Sequence, residues 1–86
     1  MSGPVHVVDV EIYGDRYSLK GTEPPEYLEM LAAMVSEKMK EVALRNNRLN
    51  LKQIAVLAAL HLADELVKLK REHRELLSLL DETEKR

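Results

Sequence analysis

The sequence predicts a mainly helical α+β protein with an N-terminal β-hairpin, one amphipathic helix, and one long C-terminal helix forming an intermolecular coiled coil. Three observations lead there. Apolar and polar residues alternate on both sides of Gly14, apolar residues recur at three-and-four spacing from Leu28, and neither Gly nor Pro follows Pro25. At 86 residues the chain holds one domain, and alone it would bury only roughly 60% of its unfolded surface, so help from a partner chain is expected. With three Tyr and neither Phe nor Trp, the core must be aliphatic.

Val8, Val10 and Ile12 alternate with Asp9 and Glu11, and Tyr17 and Leu19 alternate with Arg16, Ser18 and Lys20, the period-two pattern of half-buried strands. The spacing predicts a hairpin over about Val7 to Lys20. Gly14 and Asp15 are its expected turn, of type II′, with Gly at the position that needs positive φ. Met1 to Pro4 read as an untethered end. Pro24 and Pro25 suit a helix entry and Thr22 is a candidate cap. Leu28, Leu31, Ala32, Val35, Met39 and Val42 then line one face of a helix over about Pro25 to Leu44. The paired Asn46 and Asn47 should end it, since Asn favours turns and the left-handed conformation.

Asn50 is placed to cap a second helix, with Gln53 three residues on as the partner of a capping box. If this helix runs to about Glu82 it outreaches a compact domain of this mass, so its distal part must stand clear or pair. From Ile54 to Ala63 it is apolar around most of its circumference and should be buried on several sides. Beyond Asp64 the apolar residues narrow to a seam. Ala59, Leu66, His73 and Leu80 take heptad position a, and Ala55, Leu62, Leu69 and Leu76 take position d. Glu65 at g and Lys70 at e could pair between parallel chains. We therefore divide the chain into a head, 1–63, and a stem, 64–86. His73 would face its counterpart in the seam, where a polar residue can set register and strand number at a cost in stability.

The function classes narrow by subtraction. Thirteen Lys plus Arg against fifteen Asp plus Glu give a net charge of -2, without the basic field of a general nucleic-acid binder. Lack of cysteine excludes disulfide scaffolds, iron–sulfur clusters and thiolate zinc sites. His6, His61 and His73 make no ligand pair at helical spacing, and Gly3, Gly14 and Gly21 are too dispersed for a phosphate loop. The carboxylates sit at the spacings of solvated helix faces, so no metal, cofactor or catalysis is expected. The longest apolar run, Ile54 to Leu60, is far short of the ~20 residues of a membrane span, and charged residues interrupt the first twenty positions. A cytoplasmic location without membrane insertion is the expectation. One cationic spot stands out: Arg45, Asn46, Asn47 and Arg48, followed by Lys52, beside a helix start. For an arbitrary protein a solvated interhelix turn would be the plainer reading. A contact surface for an acidic partner is the competing one.

In this order the elements carry Ile12, Tyr13 and Gly14, then Pro24, Pro25, Glu26 and Tyr27, then Ile54, Ala55, Val56, Leu57, Ala58, Ala59 and Leu60 leading to Glu65 and Leu66. From about Val8 to Leu69 the chain closely resembles the ZapA family of bacterial cell-division proteins. The resemblance implies a non-enzymatic adaptor at mid-cell that binds FtsZ, crosslinks or aligns its filaments and supports Z-ring assembly. It also implies a homodimer, with a tetramer in some members. By position, the family's charged hairpin tip falls on Asp15 and Arg16, and its basic residues before the long helix fall on Arg45, Asn47 and Arg48. Asp15 stands where some members carry Arg, and His61 where an Asn is common. The partner surface expected from all this is Arg16, Arg45, Asn47, Arg48 and Lys52. Two other classes use the same features: a small dimeric nucleic-acid-binding or regulatory module working through the Arg45 to Lys52 loop, and a structural coiled-coil subunit of another assembly.

Overall fold

The computed structural model describes residues 3–84, which run β1 (His6–Ile12), β2 (Asp15–Gly21), α1 (Pro25–Arg45) and α2 (Leu51–Glu84). Met1 and Ser2 of the expected untethered end, and the last two residues of the expected stem, lie outside the described residues.

β1 and β2 pair antiparallel, with Val8 opposite Leu19, Val10 opposite Tyr17 and Ile12 opposite Asp15. That register corrects the turn. Its two central residues are Tyr13 and Gly14, with φ of 49° and 89°, rather than Gly14 and Asp15. Positive φ at both centres is the type I′ requirement, and this turn matches the twist of the strands it joins. A tyrosine is costly there. Its amide donates a 2.9 Å hydrogen bond to Ser36 Oγ on α1, and its ring packs among core residues, which together hold the strained residue in place.

Pro24 caps α1 with its carbonyl, which accepts from Tyr27 and Leu28, and Pro25 supplies the first helical residue. Thr22 is not the cap, because the helix starts too late for its side chain to reach. Asn46 ends α1 in an extended conformation, φ −151°, instead of the left-handed one, and its amide donates back to Val42. The second cap is as the spacing predicts. Gln53 donates its amide to Asn50 Oδ1 at 2.8 Å while Asn50 donates its own to Gln53 Oε1 at 3.0 Å.

The hairpin lies along α1 with its base at the helix start and its tip towards the helix end, so the core forms two linked patches. Val8 and Val10 pack with Leu28 and Ala32; Met39 and Val42 pack with Ile54 and Ala58 of α2. Ile12 touches both. At 34 residues α2 is about 51 Å long, given ~1.5 Å per residue. The radius of gyration, 17.8 Å, exceeds the roughly 12 Å of a compact chain of this length because that helix projects. The stretch expected to be buried on several sides is buried on one. Ile54 and Ala58 face α1, while Val56, Ala59, Leu60 and Ala63 are exposed. A single α1 cannot surround a helix, and among the described residues nothing else covers the remaining faces. No helix among the described residues is long and apolar enough to cross a membrane.

Candidate partner-binding and self-association surfaces

Tyr13 and Leu49 pack against the same apolar cluster, which draws the hairpin tip and the interhelix loop to one end of the head. The loop is held by its own polar groups, since Arg48 donates its amide to Asn46 Oδ1 at 3.1 Å and so forms an Asx turn. Arg16, Arg45, Asn47, Arg48 and Lys52 are all exposed. They do not form one cluster. Arg45 lines a polar cleft between α1 and α2 with Glu41, His61, Asp64, Glu65 and Lys68. Lys52 lines an apolar groove on another flank of α2 with Leu49, Gln53, Val56 and Leu57. Arg16 stands opposite Glu11 in the strand register, so a carboxylate shares its neighbourhood. The cations therefore surround the end of the head on several sides, and Arg48 and Asn47 occupy the turn between the two helix-flank clefts.

Two features of this end went unread in the sequence. Leu44 is 87% exposed beside Arg45, an apolar residue at the last turn of a helix whose core stripe passes it by. The other is a clasp. Lys38 Nζ donates to Glu65 on α2 and, at 3.4 Å, to Glu41 on its own helix. The Glu65 bond is the main reason the Lys38 ammonium is held above the ordinary lysine pKa, and Glu41 adds to it. Glu65 thus has a partner in its own chain, where heptad reasoning assigned it to Lys70 of another. The helical spacing of Lys38 and Glu41 was legible; a contact between residues 27 apart in sequence was not.

The seam residues fall on one side of α2. Ala55, Ala59, Leu66, Leu69, His73, Leu76 and Leu80 are exposed, whereas Leu62 is half-buried and borders a groove with Met30 and Met34 of α1. Leu66, Leu69, Leu76 and Leu80 each leave more than half their surface in solvent, at 52%, 62%, 60% and 59%. A line of leucines so uncovered is unusual on a chain that acts alone.

Fold and site together define a class: a small module, hairpin-backed and helical, whose long second helix projects and carries an uncovered apolar stripe. The chain belongs to the ZapA family. The family described as "Cell division protein ZapA" matches residues 8–86. Relatives bearing that name include one from Geobacillus sp. (strain WCH70), 37% identical over 73 residues, spanning 85% of this chain and 84% of the relative. Another, from Bacillus thuringiensis (strain Al Hakam), is 41% identical over 69 residues, covering 80% and 78%. Among solved structures, a ZapA mutant dimer from Geobacillus stearothermophilus superposes with a TM-score of 0.69 at 37% identity, covering 91% of both chains. The chain is accordingly a cell-division protein of a non-enzymatic family whose members bind FtsZ and promote Z-ring assembly.

Proposed function

We propose that this protein is a bivalent crosslinker that aligns FtsZ filaments, working in the cytoplasm at the division site, with 1–63 as the binding head and 64–86 as the pairing stem. The observation that carries this is the uncovered row Leu66, Leu69, Leu76 and Leu80 on a helix that outruns its own head. Two copies joined along Ala55, Ala59, Leu62, Leu66, Leu69, His73, Leu76 and Leu80 hide that row in a parallel coiled coil. The solved relative being a dimer supports the same reading. Pairing sets two heads side by side, and joining two dimers through their stems would put heads at both ends. Linked heads turn a second weak filament contact into an effectively intramolecular event.

The contact surface is the end of the head carrying Arg16, Arg45, Asn47, Arg48 and Lys52, all exposed, whose four cations suit acidic groups on FtsZ while Asn47 offers a neutral amide for hydrogen bonding. Reversing Arg45 and Arg48 to Glu is expected to abolish co-pelleting with polymerised FtsZ, with the mass of the oligomer unaltered. Undiminished pelleting of this variant assigns the contact to another face.

A further inference from the structure

A two-stranded sheet has two outer edges, and in this chain they differ. Asp9, Val10 and Glu11 of β1 border a cleft against Glu29, Ala32 and Ala33 of α1, so a strand arriving there would meet the helix and a row of carboxylates. Along β2 none of the described residues forms such a wall. Of its apolar side chains, Leu19 reaches the buried clusters, while Tyr17 on the same face is 47% exposed.

The register says which backbone groups the open edge presents. A two-residue turn is closed by a pair that exchanges both ladder bonds, here Ile12 and Asp15, and bonded and non-bonded pairs alternate from there. Glu11 with Arg16, Asp9 with Ser18 and Val7 with Lys20 are therefore the non-bonded pairs. Arg16, Ser18 and Lys20 turn their amides and carbonyls away from β1, and these groups have no backbone partner elsewhere among the described residues. All three residues are exposed. Their side chains share the outer face of the hairpin, where Arg16 and Lys20 stand about 14 Å apart at ~3.4 Å per residue. Neither cation enters an ion pair among the described residues, and Ser18 between them donates to Asp9 at 2.6 Å.

Charge decides what can pair with this edge. A second β2, antiparallel across a two-fold axis at Ser18, would set Arg16 against Lys20 of the other copy, and a parallel one would set like residues side by side, so both are repelled. A strand with carboxylates four positions apart meets a cation at each end, and its intervening apolar residues fall beside Tyr17 and Leu19. We infer that the open edge of β2 is a docking site for an extended acidic segment of a partner protein, which adds to the hairpin as a third strand. Backbone hydrogen bonds along Arg16, Ser18 and Lys20 hold the segment, and the two cations select its sequence. Arg16 also belongs to the surface proposed for FtsZ, but the edge does not draw on Arg45, Asn47, Arg48 or Lys52, and the inference stands whichever face FtsZ occupies.

The probe is a fluorescein-labelled peptide, Thr-Glu-Val-Thr-Val-Glu-Thr, with its two Glu at the spacing of Arg16 and Lys20, read by anisotropy against the full chain. Arg16→Glu with Lys20→Glu is expected to weaken binding at least tenfold and to favour the peptide with Lys in place of Glu, a gain that a misfolded chain would not show. Alternate residues of an added strand aim their amides at the edge. N-methylation of the central Thr or of the Val after it should therefore abolish binding in one case and spare it in the other. Equal affinity of the two methylated peptides overturns strand addition. Failure of the parent peptide to bind reduces Arg16 and Lys20 to guards against edge-to-edge aggregation and overturns the proposal. The chain has no cysteine, so Ser18→Cys supplies a unique thiol, and crosslinking of that variant to itself by a short bismaleimide assigns the edge to a second copy, against the proposal. Co-pelleting of the Arg45 and Arg48 variant reads the other surface, so the two readings fail separately.

Discussion

Lys38 ties α1 to α2 through its bond to Glu65. Its side chain is 14% exposed, while the Glu41 and Glu65 side chains remain about half exposed, so solvent weakens the bridge without removing it. Because the folded chain holds this proton more tightly than the unfolded one, the contribution is complete below the ordinary lysine pKa of 10.5 and fades as pH climbs through the raised value. Thermal melts of the wild-type protein and Lys38→Gln should therefore differ at pH 9 and converge as pH rises well above 10.5. A constant difference across that range would mean that the ammonium contributes through packing alone. Tyr13 is the other residue whose role depends on distant neighbours: alternation located the hairpin, but Ser36, 23 positions away, supplies the bond that supports a tyrosine at positive φ. Strand spacing alone places Gly14 first in the turn, one residue late, and that shifts every cross-strand partner by two.

Among the elements, α2 starts at a cap whose two bonds are made by side chains three positions apart in sequence, Asn50 and Gln53. Asn50→Ala leaves early helix amides without that acceptor and is expected to cost ~1 kcal/mol, a fall of about 4–8 °C in Tm at fixed protein concentration. An unchanged Tm would show that water replaces the cap at no cost. Local chemistry of this kind was legible: the strands, the stop of α1 near Arg45 and the capping box all follow from residues a few positions apart. What α2 lies against was not. Its apolar circumference shows that several faces seek cover, whereas only the tertiary arrangement shows that α1 takes Ile54 and Ala58 and leaves Val56, Ala59, Leu60 and Ala63. The cations near the loop were likewise readable as residue types, while the divergence of Arg45 and Lys52 into different clefts depends on how the helices are rotated.

For the whole molecule, the governing fact is that apolar surface outruns what one copy can hide. Introducing Leu69→Glu with Leu76→Glu places charges in the proposed seam at residues that lie outside the buried clusters of the head. Light scattering across a dilution series should give an oligomer for the wild type and the mass of one chain for the variant, with the hairpin and α1 still folded by circular dichroism. A variant of unreduced mass would remove the stem from the interface.

The 34 residues of α2 contain neither glycine nor proline, and they leave the head without a break. Such a rod has no hinge at which the heads could swivel. Under the crosslinking reading, neighbouring polymers are consequently held at a set gauge, as sleepers hold rails, and slack in one is passed to the next as tension rather than absorbed.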